Sequence, residues 1–192
     1  MDILQPHGPE KIVYEGKIFE VVKQPMKADE KIIEFETARR SPGVRLIITK
    51  ENKILLTKEF RTELNDYDYR LPGGKVFDQL TEYRAALQQN KPLLEHAQKA
   101  AIKECLEETG LVVQNIKHFH TSHAGATVVW DLFYFVIDDF VENKTGQVLE
   151  HGEVIYPEWK TIAEVKALCL VNKISEDRSV GVLFKFLETY KF

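Results

Sequence analysis

Glu104, Glu107 and Glu108 lie within Lys103-Glu104-Cys105-Leu106-Glu107-Glu108-Thr109-Gly110-Leu111, spaced i, i+3 and i+4. On a helix that spacing brings three carboxylates onto one face within a turn. Like charges there repel, and the C-terminal end of a helix favours cations over acids. A sequence accepts such a set most readily when something positive sits among it. A hard divalent cation, Mg²⁺ or Mn²⁺, suits an all-oxygen donor set. The plainer reading of a bare Glu-x-x-Glu-Glu is a solvated acidic helix face.

The elements that would carry these residues can be read from periodicity. The front third reads as strands: Ile12 to Val22 with a turn at Glu15-Gly16, Lys31 to Thr37, Val44 to Ile48 after Ser41-Pro42-Gly43, Ile54 to Leu56, and Tyr67 to Leu71 leading into Pro72-Gly73-Gly74. The period then becomes helical. Leu80, Tyr83 and Leu87 predict a helix over about 78–89, broken at Asn90 to Pro92. Leu93 to Thr109 is a second helix, with Pro92 before it and Gly110 as its C-terminal cap. Ile116 to His120 and Thr127 to Ile137 read as strands, the latter as one buried run. A polar loop, Glu142 to Glu153, is followed by two helices. The first is capped by Thr161 and Glu164, and the second shows a stripe of Val180, Leu183, Phe184 and Leu187.

Composition limits what such a chain can be. It has 192 residues, 44% apolar and 29% charged, enough to bury a core as one domain with a modest extension. Lys plus Arg number 26 against 30 Asp plus Glu, a net charge of −4, which argues against binding nucleic acid through its phosphates. No apolar run has the length of a membrane span, and Met1 to Lys11 lacks a signal pattern. Cys105 and Cys169 read as packed residues, so a reducing, cytoplasmic setting is expected. His118, His120 and His123 read as surface or substrate contacts and not as a metal cluster. Trp130, Phe133, Tyr134 and Phe135 read as core. Gly73-Gly74-Lys75 lacks the spacing of a Walker-type phosphate loop.

The order Leu71-Pro72-Gly73-Gly74-Lys75, then Glu95, seven residues, Lys103 and Glu104-x-x-Glu107-Glu108-x-Gly110-Leu111 resembles the Nudix box, GX5EX7REUXEEXGU. Two departures stand out. Lys103 replaces the family's Arg, and a point charge replaces a bidentate fork. Twenty residues separate Gly74 from Glu95 where the family has five, so a helical insertion of about fifteen residues is expected at about 78–93. Glu95, some two turns from Lys103, is read as structural.

The resemblance extends over roughly residues 12 to 190, and points to the ADP-ribose and nucleoside-diphosphate-sugar pyrophosphatase branch. It implies an α/β (α+β) Nudix fold, a mixed β-sheet sandwiched between helices, with an N-terminal antiparallel strand region over 1–42 that serves dimerisation or substrate binding and a hydrolase domain over 43–192. It also implies that Glu104, Glu107, Glu108 and the backbone carbonyl of Gly73 bind two or three metal ions, which neutralise a diphosphate and acidify a water. Arg61, in LLTKEFRTEL, maps to the arginine on the substrate diphosphate. Arg39 and Arg40 either reach a phosphate or decorate an edge strand. A general base is implied on the loop before the last strand, where the register favours Glu150, with Glu153 second. Arg70 stands where the branch has a glutamate before Leu-Pro-x-Gly, and Ser122-His123-Ala124-Gly125 replaces its Ser-Pro-Gly turn. The implied activity is metal-dependent hydrolysis of a nucleoside diphosphate sugar by a homodimer acting on neither nucleic acid nor membrane. The alternatives are a non-catalytic Nudix ligand-binding module or a Nudix hydrolase for another diphosphate, a dinucleotide or coenzyme A.

Overall fold

The computed structural model describes residues 3–89 and 91–190. The first strands are β1 (Gln5–Pro6), β2 (Lys11–Glu15), β3 (Phe19–Ala28), β4 (Lys31–Arg40), β5 (Gly43–Lys50), β6 (Lys53–Arg61) and β7 (Asp66–Arg70). Helices α1 (Leu80–Gln88) and α2 (Leu93–Thr109) follow, then β8 (Leu111–Ser122), β9 (Val128–Val129), β10 (Leu132–Glu142) and β11 (Ile155–Thr161). Helices α3 (Ile162–Leu170) and α4 (Asp177–Thr189) close the chain. The chain forms two compact units, one of Met1–Pro42, Phe77–Leu93 and His123–Asp131, the other of Gly43–Val76, Leu94–Ser122 and Leu132–Phe192.

In the first unit the sheet runs β1-β3-β4-β9, with β2 also on β3. The hairpin expected at Glu15-Gly16 forms, and the Gly16 N–H donates to Phe19 O at 3.0 Å. Strand β3 runs on past Pro25 to Ala28, beyond the expected end, because a ten-residue antiparallel register with β4 supports it. Helix α1 occupies the expected insertion and buries Leu80, Tyr83 and Ala86, with Phe77 stacked on Tyr83 at 5.7 Å between centroids. The break expected at Asn90 lies outside the described residues. The run Thr127 to Ile137 is not one strand. Val128 and Val129 pair in parallel with Ala38 and Arg39 as β9, and β10 begins at Leu132 in the other sheet. Between them Asp131 pairs with His123 at 2.7 Å and half-buried Trp130 stacks under the Arg40 guanidinium at 4.3 Å, so Trp130 is not core. The break falls at Asp131, the one charged residue in an otherwise nearly apolar run.

The second unit holds a six-stranded sheet in the order β11-β6-β5-β10-β8, with β7 also on β6. Glu51 and Asn52, at φ +50° and +60°, make the tight link between β5 and β6. Strand β5 is parallel to β10 and buried from Gly43 to Thr49, so both its faces are covered, as its apolar run requires. Helix α2 has the expected bounds and buries Ala97, Ala101 and Cys105, small residues four apart that permit close approach. Helix α4 buries Ser179, Val182, Leu183 and Phe186, about one residue round from the expected stripe. Arg45 of β5 holds Glu176, just before α4, through Nε (2.8 Å) and Nη2 (2.7 Å), and the pair drives the Glu176 carboxyl down to about 2 despite burial. The fold is therefore mixed α+β, with helices and two mixed sheets. No helix among the described residues is long and apolar enough to cross a membrane.

Candidate active site

Strand β5 and the Pro72–Gly74 turn run side by side. Leu46 N–H donates to Pro72 O at 2.8 Å and Val44 N–H to Gly74 O at 2.9 Å. The turn presses so closely that a Cβ on Gly73, at φ +148°, would stand 2.1 Å from Val44 O. Only glycine fits there. Its N–H instead donates to Glu108 Oε2 at 2.8 Å. A Cβ on Gly74 would lie 2.0 Å from Glu104 Oε1. The two glycines thus form the wall against which two carboxylates of α2 rest. Glu107, the third, pairs with Lys103 at 3.0 Å along the helix.

Burial pushes the Glu104 carboxyl up to about 7; Lys103 opposes this, while Glu107, Glu153 and Glu150 add to it. Glu108 rises to about 8, again chiefly by burial, with the Gly73 N–H and Arg45 pulling down and Glu104 and Glu153 pushing up. Five acids therefore act on one half-buried centre. Among the described residues no three His, Cys, Asp or Glu side chains converge as a finished cage. Glu104 and Glu108, crowded and resisting ionisation, are the residues that would hold a divalent cation; Glu107 would join on release from Lys103. The chemistry of the donor set fits the ion.

This electrostatic conflict has a measurable sign. Both folded-state values lie above the ordinary 4.5, so the metal-free folded protein keeps protons that the unfolded chain has lost. Stability without metal is expected to fall as pH rises from about 4.5 to about 8 and to level off above that. Mg²⁺ should restore most of the loss at pH 8 and little at pH 5, where the ligands are protonated. Thermal melts across pH, with Mg²⁺ and with EDTA, check this; a slope unaffected by Mg²⁺ would place the ion elsewhere.

The expected base loop lies between β10 and β11. Glu150 and Glu153 are exposed and tied to each other, the Glu150 N–H donating to Glu153 Oε2 and the Glu153 N–H to Glu150 O, both at 3.1 Å. Glu153 acts on both Glu104 and Glu108, and Glu150 on Glu104. The arginines are engaged with carboxylates. Arg61 bonds Glu63 (Nε, 2.9 Å) and Glu59 (Nη1, 3.1 Å). Arg39 clamps the fully buried Glu20 (Nε, 2.7 Å) and pairs with Glu10 (2.8 Å) within the first unit, where Arg40 also lies. Glu95 is exposed on α2. His118 bonds Thr121 at 2.9 Å.

Two residues at this site went unread in the sequence. Arg45, beside Glu108, also donates to Val44 O at 2.8 Å, the carbonyl that excludes a side chain at position 73. Gln147 donates its side-chain amide to Glu108 O at the end of α2. Neither carries a local signal, since their partners are remote in sequence.

The NUDIX domain profile matches residues 39–178, more than half of the chain. Among solved structures, one described as "Crystal structure of ADP compounds hydrolase" superposes with a TM-score of 0.68 at 16% identity, over 96% of this chain and 93% of that one. No curated protein matches significantly. Family profile, shared fold and a glycine wall facing a Glu-x-x-Glu-Glu helix agree: the chain belongs to the NUDIX domain family.

Proposed function

We propose that the protein hydrolyses the diphosphate linkage of a nucleoside diphosphate sugar, ADP-ribose-like, to a nucleoside monophosphate and a sugar phosphate, with Mg²⁺ and alternatively Mn²⁺. The observation that carries this is the pair Glu104 and Glu108 pressed on Gly74 and Gly73 with their carboxyls pushed up to about 7 and 8. The likeness to a hydrolase of ADP compounds supports the substrate class. A divalent cation there neutralises diphosphate charge and acidifies water. Glu104, Glu107 and Glu108 are assigned to hold it. Because Pro72 and Gly74 turn their carbonyls to β5, alternation turns the Gly73 peptide toward α2, and its carbonyl is assigned to the same ion. The base is assigned to the 149–154 loop, to Glu150 by register with Glu153 second, taking the proton as water attacks phosphorus and the bridging P–O bond breaks. Arg61 is assigned to the diphosphate, on exchange of Glu59 and Glu63 for phosphate oxygens; Arg39 and Arg40 stay secondary candidates. Exposed Val13, Ile18, Phe19, Ile32 and Ile33 support a homodimer through residues 1–42.

The test is phosphate release, coupled to a phosphatase, from ADP-ribose, GDP-mannose, ADP-glucose, UDP-glucose, a dinucleotide and coenzyme A, with Mg²⁺ and with EDTA. Metal-dependent turnover of one sugar-linked diphosphate is expected. Silence across the panel by folded, Mg²⁺-binding protein would favour the non-catalytic module. For the base, Glu150→Gln is expected to lower kcat about 10²–10⁴-fold with KM little changed. If Glu153→Gln does so instead, the base is Glu153.

A further inference from the structure

The carbonyls at the end of α2 draw their donors from the loop that carries Glu150 and Glu153. Glu107 O accepts from Val148 N–H at 3.0 Å and Gly110 O from Asn143 N–H at 2.8 Å. Glu108 O accepts from the side-chain amide of Gln147, which also donates to Ile155 O at 3.2 Å, the first residue of β11. A helix C-terminus leaves its last carbonyls without intrahelical partners and presents partial negative charge. At the end of α2 that charge adds to three glutamates, and the loop answers it with N–H groups. The contact is close: a Cβ on Gly110 would lie 2.8 Å from Gly146 C and 3.0 Å from Gln147 N. Beyond Val148 the exposed tip folds on itself through the Glu150–Glu153 bonds.

The loop therefore has a pedestal, 143–148, seated on the end of α2, and a tip, 149–154, that returns to β11. The Gln147 side chain, at the end of the pedestal, bridges the end of α2 at Glu108 to Ile155, the residue to which the tip returns. Its NH₂ supplies two donors, one for each carbonyl. Leu fills a similar volume without donors. Glu keeps the shape but, when ionised, only accepts.

We infer that Gln147 is a positioning residue: its amide staples the tip to the metal helix at Glu108 and to β11 at Ile155, and so sets where Glu150 and Glu153 stand against Glu104 and Glu108. This rests on the proposed hydrolysis only for its catalytic consequence; the staple itself is a statement about loop order.

The two parts are tested separately. In metal-free protein, Gln147→Leu and Gln147→Glu are expected to speed amide exchange across 148–155 about tenfold, the effect of two lost hydrogen bonds, with the middle of α2 unchanged. Unchanged exchange in both variants would overturn the staple whatever the activity. In turnover, Gln147→Leu is expected to lower kcat about 10–100-fold, with KM and the Mg²⁺ concentration for half-maximal activity held within about twofold. In a Glu150→Gln/Glu153→Gln background the same change should cost less than about twofold, because no base is left to position. A full, additive loss in that background would overturn the positioning role. If the wild-type protein hydrolyses nothing in the panel, the proposed function falls, and the exchange result still decides the staple.

Discussion

Glu104→Gln is expected to cut diphosphate hydrolysis about 10³-fold or more while making the metal-free protein more stable at pH 8. The two effects share one cause. Glu104 stands half-buried among Glu107, Glu150 and Glu153, with its carboxyl pushed up to about 7, so its ionised form is costly in the absence of a cation. A neutral amide removes that cost, and the gain should be about 1–3 kcal/mol after allowance for partial exposure. At pH 5, where the folded wild-type carboxyl is protonated, the gain should shrink to a small fraction of that. A cation centre contributes several kcal/mol to catalysis of such a reaction, and each 1.36 kcal/mol is tenfold in rate. The measurement is a pair of melts at pH 5 and pH 8 with EDTA, then with Mg²⁺, beside turnover. Mg²⁺ should raise the wild-type Tm at pH 8 and leave the variant's unmoved. Wild-type turnover in Glu104→Gln would remove Glu104 from the cation site.

The neighbouring glycines should separate fold from function. Gly73→Ala places a Cβ 2.1 Å from a main-chain oxygen at a φ of +148°, and neither the Val44 carbonyl, bonded to Arg45, nor the turn can yield cheaply. A loss of roughly 3 kcal/mol or more is expected, enough to unfold much of a marginal domain. Gly74→Ala meets only the carboxylate at the end of Glu104, a flexible side chain, so it should fold with a stability change within about 1 kcal/mol. It should nevertheless lose turnover about 10²-fold and its stabilisation by Mg²⁺, since Glu104 is displaced from the wall. Urea unfolding and turnover of the two variants check the contrast. Equal losses of stability would show that Glu104 cannot move aside.

The glutamate helix and the glycine turn were legible because their logic is local. The i, i+3, i+4 spacing, Pro92 and Gly110 sit within one stretch of chain and define α2 residue for residue. The same holds for the Thr161 cap of α3 and the Glu15-Gly16 hairpin. What stayed hidden depends on partners far along the chain. Arg45 finds Glu176, and Gln147 finds Glu108; no periodicity announces either. The division of Thr127–Ile137 falls at Asp131, a single charged residue in a nearly continuous apolar run, and β11 contains Pro157, which looks like an interruption until its antiparallel register with β6 is seen. The arginines show the opposite limit. Arg61 maps by resemblance to the diphosphate and Arg39 reads as either a phosphate contact or an edge-strand residue, and each is a partner of two carboxylates.

Helix α1 divides the Nudix box, yet its residues cluster with the N-terminal strands and not with α2. The chain leaves the second unit after Val76 and re-enters it at Leu94. What keeps Gly73 and Gly74 against the glutamates is then a non-covalent ruler, the Gly73–Glu108 bond and the pairing of Pro72 and Gly74 with β5, and not the length of the intervening chain. The first half of the box is in this sense elastic and the second half rigid, because only the latter is counted out along a single helix. A change in the length of the insertion that leaves both attachments intact is expected to spare the site, while one residue added between Glu104 and Glu107 would rotate an acid about 100° off the shared face.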